Sequence, residues 1–155
     1  MSDQATVARN LEAFRERDRS WNARAKDFID AHTVDVVVHR PGSREPTRGN
    51  RAHWEEMEAL WDAFTDVTIG PVGPDGSPRY GTQFGSGDVV CATSVVSGTH
   101  DGELNLFGKL IPPTGRRVEI TLCTVARFEN GKIAEEHLFY DLMLLAKDLG
   151  VWPPD

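Results

Sequence analysis

Two long apolar-rich runs flank the dipeptide Asn130-Gly131: VEITLCTVARF before it and KIAEEHLFY after it. Asn-Gly accepts the positive φ angles of a two-residue hairpin turn, so the runs are expected to pair as antiparallel strands. Register follows from the turn. Glu129 facing Lys132 places Thr124 opposite His137. Side chains alternate along a strand. Ile133, Glu135, His137, Phe139 and Asp141 therefore share one face with Phe128, Ala126, Thr124 and Leu122. Neither face is purely polar, so both are expected to be covered, one by helices and the other by a second subunit.

The rest of the chain supplies partners for this hairpin. DVVCATSVVSGTH (88–100) is a third long strand candidate, followed by LNLFGKL and the turn IPPTGRR. Residues 6–30 have helical spacing, with Val7, Leu11 and Phe14 on one face and a break near Asp18 to Ser20. VDVVVH (34–39) reads as a short strand. RAHWEEMEALWDAF (51–64) is a second amphipathic helix, and VTIGPV a further short strand. PDGSPRYGTQFGSGD reads as a loop with Tyr80 as a lid residue, and DLMLLAKDLG as a last helix stopped by Gly150. At 155 residues, the chain is expected to be a single domain spanning 1–155. Helices first and sheet afterwards indicate the α+β class.

Charge narrows the partners. The formal net charge is −7, and no Lys/Arg-rich stripe suited to nucleic acid is present. Arg15, Arg17 and Arg19 alternate with Glu12, Glu16 and Asp18, which reads as a solvated helix face. No run approaches a membrane span and the N-terminus lacks a secretory pattern, so no membrane partner and a cytoplasmic location are expected. Cys91 and Cys123 lie in strand-like runs and are expected to be free thiols, with a bridge between facing strands left open.

The chemistry-bearing candidates gather near the C-terminus. Asp141 opens the last helix, where it can cap that helix or, beside His137 on a mostly apolar face, handle protons. His39 ends a strand before a loop and is a candidate for a pocket mouth. His100 lies in SGTHDGE, with either a substrate contact or a turn role. His32 and His53 read as exposed. No His, Cys or carboxylate spacing matches a metal motif, so neither metal nor cofactor is expected. Trp54, Trp61, Phe64 and Phe107 are core or substrate wall.

The order of VDVVVHRPG, the helix with Trp54 and Trp61, GTHDGELNLFGKLIPPTGRRVEI and RFENGKIAEEHLFYDLMLLAKDLG resembles the SnoaL-like polyketide cyclase family, within the nuclear transport factor two-like superfamily. The resemblance covers about residues 5 to 150. It implies a cone-shaped α+β fold, in which a strongly bent antiparallel or mixed sheet wraps the N-terminal helices and leaves a pocket at the open end. It implies a metal-free cyclase or isomerase acting on a hydrophobic carbonyl compound, with Asp141 as acid/base. The family's pocket histidine from the strand before the hairpin has no counterpart in TLCTVARF, so His137 is expected to take that role. His39, His100, Trp54, Trp61, Phe107, Thr124 and Phe139 are the expected substrate contacts. A homodimer formed through the outer sheet face is also implied. Epoxide hydrolysis, with Glu135 as second carboxylate, and simple ligand binding are the alternatives on the same fold.

Overall fold

A computed structural model describes residues 3–153. Helix α1 (Asp3–Asn22) is continuous and is followed by a short 3-10 helix, Lys26–Ala31. The expected break therefore falls after Asn22 rather than at Asp18 to Ser20. Strands β1 (His32–His39) and β2 (Thr47–Arg48) precede α2 (Asn50–Ala63). Next come β3 (Thr68–Gly70), β4 (Thr82–Ser86), β5 (Val89–Thr99), β6 (Leu104–Leu106), β7 (Lys109–Ile111), β8 (Arg117–Glu129), β9 (Lys132–Phe139) and α3 (Leu142–Asp148). Within the run read as a loop, residues 82–86 form β4, an antiparallel partner of β5.

The main sheet runs β2-β1-β9-β8-β5-β3, with β4 also paired to β5. It is bent and unclosed, with α1 and α2 against its inner face. β1 lies parallel to β9, and the other pairs are antiparallel, so the sheet is mixed. Two apolar clusters fill the space beneath it. One joins Phe14 of α1 to Val36, Val38, Val90, Ala126, Phe128 and Ile133 of the sheet. The other joins Trp21, Phe28, Trp61 and Phe64 to Leu106, Val118 and Leu149. Each Val, Leu, Ile or Phe side chain among them, fully buried, contributes roughly 1.5–3 kcal/mol.

The hairpin turn is as expected, with Asn130 and Gly131 both at positive φ (50° and 79°). Its register is not. Glu129 pairs with Lys132 and Phe128 with Ile133, but Arg127 then pairs with Glu135, leaving Ala134 as an extra residue. This β-bulge slips the register by one, and a one-residue slip moves every later side chain to the other face. Val125, not Thr124, lies opposite His137, and Glu136 lies opposite Ala126. Beyond the bulge, Glu136 turns inward beside buried Ala126 and Thr124. Glu135, His137 and Phe139 turn outward. The expectation that they share a face with Thr124 is overturned by this single residue.

Candidate active site

Between the inner sheet face and the helices lies a cavity of about 860 Å³. Its wall is mostly apolar, formed by Trp21, Phe28, Met57, Leu60, Phe64, Ile69, Val118, Ile120, Leu122 and Leu138 among others. Such a lining with few polar groups is the ordinary build of a small-molecule site. Arg17, Asp18, His53 and Thr124 are the polar lining residues that are themselves buried.

Arg17, Asp18 and His53 belong to one network centred on Glu136. Arg17 and Asp18 sit on α1 between Phe14 and Trp21, so the turn that faces the core carries them inside. Arg17 Nε donates to Asp18 Oδ1 (2.7 Å) and Arg17 Nη1 donates to Glu136 Oε2 (2.9 Å). The Tyr80 hydroxyl donates to Asp18 Oδ2 (2.7 Å). One guanidinium thus bridges two buried carboxylates, and Tyr80 is fixed against Phe14 rather than free as a lid. His32 Nδ1 lies 3.0 Å from the Phe28 carbonyl, which fits an N–H donated there and leaves Nε2 as the acceptor. His53, on α2, is only 2 % exposed, and neither of its ring nitrogens has a hydrogen-bond partner.

The environment separates the two carboxylates. Burial, the largest single influence, pushes Glu136 up, but the facing Arg17 guanidinium together with His53 and His32 outweighs it and holds the group at about 2. Burial raises Asp18 above the usual carboxylate range, and Arg17 and Tyr80 only partly oppose it. Burial also lowers His32, to about 3, and lowers His53, so both imidazoles are neutral at neutral pH. Two carboxylates whose proton affinities are driven apart form the usual signature of an acid and a base in one site.

The residues expected from sequence fall mostly elsewhere. Asp141 is exposed, and its Oδ1 accepts from the Leu144 N–H (2.9 Å), capping α3. Its neighbours Tyr140 and Leu142 line the cavity, but Asp141 does not. His137 stacks on His39 at 4.1 Å with rings nearly parallel, and His39 Nε2 pairs with Glu135 Oε2 at 2.9 Å. That group lies on the outer sheet face, so neither His39 nor His137 reaches the cavity. Phe139 is on the same outer face, 54 % exposed. His100 is fully buried, and its Nδ1 accepts from the Thr114 N–H (3.2 Å), which ties down the turn at 114–116. Trp54 and Trp61 pack in the core outside the cavity lining. Phe107 and Thr124 do line the cavity. His32 and His53 are buried, not exposed. Cys91 and Cys123 are free thiols with their sulfurs 3.9 Å apart.

Fold and cavity together define a cone-type α+β domain, its bent, unclosed sheet enclosing a mostly apolar cavity. The chain belongs to the SnoaL-like polyketide cyclase family, whose model matches residues 5–149. Similar solved structures include a protein of Jannaschia sp. CCS1 provisionally described as a SnoaL-like polyketide cyclase. It has a TM-score of 0.76 and 16 % identity, with 95 % of each chain covered. AclR of Streptomyces galilaeus, provisionally described as a hydroxylase, has a TM-score of 0.74 at 24 % identity, covering 95 % of this chain and 99 % of that one. IdmH of Streptomyces antibioticus, provisionally described as a polyketide cyclase, has a TM-score of 0.70 at 23 % identity, covering 92 % and 99 %. At these identities the structures establish the shared fold. A search of curated proteins returns no match. Among the described residues, no helix is long and apolar enough to cross a membrane.

Proposed function

We propose that the chain is an acid/base enzyme, a cyclase or isomerase acting on a hydrophobic carbonyl compound held in the cavity, with Asp18 handling the proton. The observation that carries this reading is the position of Asp18: a buried carboxylate on an apolar cavity wall, fixed between Arg17 and Tyr80. Ring closure or double-bond migration needs a proton removed next to a carbonyl and one returned to the developing oxyanion or carbon. A carboxyl group with raised proton affinity suits both steps. Family membership supports the substrate class.

A second assignment keeps the acid/base at Asp141, favoured by its seat between two cavity-lining residues, Tyr140 and Leu142. A second reaction, epoxide hydrolysis, is favoured by the Arg17-bridged pair. There Asp18, the carboxylate of the pair that lines the cavity, would act on the epoxide and its attacking water, and Glu136 would fix Arg17 behind it. This replaces Glu135, which points outward, as the second carboxylate.

The test is turnover of a panel of aromatic polyketide, terpene and steroid carbonyl compounds and matching epoxides. Asp18→Asn is expected to lose at least about 100-fold in kcat, while Asp141→Asn, which can still cap α3, stays near the parent rate. The reverse pattern moves the acid/base role to Asp141. A vicinal diol carrying oxygen from labelled water identifies the hydrolase. Tight ligand binding without turnover of any compound in the panel argues for a binding protein.

A further inference from the structure

His32 opens β1, His53 lies in the first turn of α2 and Glu136 lies on β9. Their spacing in sequence matches no ligand motif, but the fold brings them together. His53 Nε2 is 3.5 Å and His32 Nε2 is 3.9 Å from the same oxygen, Glu136 Oε1. One donor atom from each residue lies within 4.8 Å of the others. We propose that these three side chains bind one divalent first-row transition cation, in a site distinct from the acid/base role given to Asp18.

Four observations carry this. The first is size. Ligand atoms about 2.0–2.2 Å from a tetrahedral ion stand roughly 3.4 Å from one another. The two pairs at 3.5 and 3.9 Å are close to that spacing already, and modest side-chain closure completes the set. The second is the outer support that metal ligands require. His32 Nδ1 is held by the Phe28 carbonyl at 3.0 Å, which orients Nε2 toward Glu136. Glu136 Oε2 is held by Arg17 at 2.9 Å, leaving Oε1 for the ion.

The third is His53 itself. It is 2 % exposed and neither ring nitrogen has a hydrogen-bond partner. A buried polar group left unpaired is costly, and a bound ion removes that cost. The fourth is donor type. Two imidazoles and one carboxylate suit zinc, cobalt and iron(II) better than magnesium or calcium, which prefer all-oxygen sets.

Arg17 is the competing cation. Its Nη1 lies 3.4 Å from His32 Nε2, a long contact beside its bonds of 2.7 Å to Asp18 and 2.9 Å to Glu136. An ion takes that weakest contact and leaves both short ones. With both imidazoles neutral, ionised Glu136 offsets the charge on Arg17, so a divalent cation does not face an uncompensated positive site. His53 also lines the cavity, which gives the ion a way in.

The experiment uses the whole protein, stripped with a chelator and dialysed, then titrated with Co2+ and Zn2+. The expected result is one ion per chain by calorimetry, visible cobalt bands of a nitrogen/oxygen site, and a higher thermal midpoint with either metal. His53→Gln and Glu136→Gln, shown to be folded by circular dichroism, are expected to bind at least about tenfold more weakly. A His39→Gln/His137→Gln double variant, which removes the outer-face histidine pair, is expected to bind like the parent. No binding by the parent protein at a 100-fold molar excess of Zn2+ overturns the proposal. Binding lost in the His39/His137 variant also overturns it, because the ion then sits on the outer face. Both of those outcomes are read without any enzyme activity, so they stand apart from the acid/base reading.

Discussion

Asp141→Ala removes the acceptor of the Leu144 N–H at the start of α3. The expected cost is about 1 kcal/mol of stability, and Asn at the same position is expected to restore most of it. Urea unfolding of both variants checks this. The same residue type on α1 behaves differently because its neighbours differ: Asp18 is enclosed by Arg17, Tyr80 and the cavity wall, Asp141 by solvent. That contrast is only partly legible in the sequence. Asn10, Phe14, Arg17 and Trp21 follow one another at helical spacing and are all buried, so the core stripe of α1 passes straight through Arg17. The alternation of charges around it hides this stripe. His53 has the same disguise. It stands four residues before Met57 and eight before Trp61, on the inward face of α2, but a histidine two and three residues before Glu55 and Glu56 looks solvated when read alone.

At the scale of elements, the strands are legible and their register is not. β-branched runs and the Asn-Gly turn place β5, β8 and β9 to within a few residues, because alternation and turn chemistry are local. The bulge at Ala134 is decided by packing. An uninterrupted register would put Glu135 and His137 inside and leave Glu136 in solvent. Arg17, delivered by α1 from far away in sequence, makes Glu136 the inward carboxylate instead. The connections show a similar dependence on distant partners. Asp66, just before β3, accepts from Thr99 N–H (2.6 Å) and Thr99 Oγ1 (2.9 Å) at the end of β5. The Thr99 N–H contributes most to lowering Asp66 below its ordinary value of 3.8, with the Thr99 hydroxyl adding to it. A depressed folded-state value stabilises the fold above the unfolded value, and that contribution is lost as pH falls through the folded one. Thermal melts between about pH 5 and about pH 2 are therefore expected to fall less steeply for Asp66→Asn than for the parent. Equal slopes would remove Asp66 from the acid response.

For the whole molecule, the class, the family and the presence of a pocket could be read from the order of the motifs, whereas the lining of the cavity could not. Its wall draws on α1, α2, the sheet and the 104–110 hairpin together, and no local pattern reports how distant side chains enclose a space. The outer sheet face carries its own stripe, with Phe84, Phe139 and the stacked His39 and His137 projecting from neighbouring strands. We propose that a second copy covers this face. Sedimentation equilibrium is then expected to give a dimer for the parent chain and a shift toward monomer for Phe139→Glu. A parent chain that is strictly monomeric would rule this out.

The claim on which the functional account turns is that the fold holds Asp18 as a buried, proton-accepting carboxyl on the cavity wall. Carbon-13 NMR titration of the carboxyl groups, with Asp18 assigned through Asp18→Asn, measures it without any knowledge of the substrate. Asp18 is expected to titrate above its ordinary 3.8 while Glu136 stays ionised down to about 2. A value for Asp18 at or below 3.8 would mean that Arg17 holds it as a fixed anion, and the acid/base role assigned to it would fail.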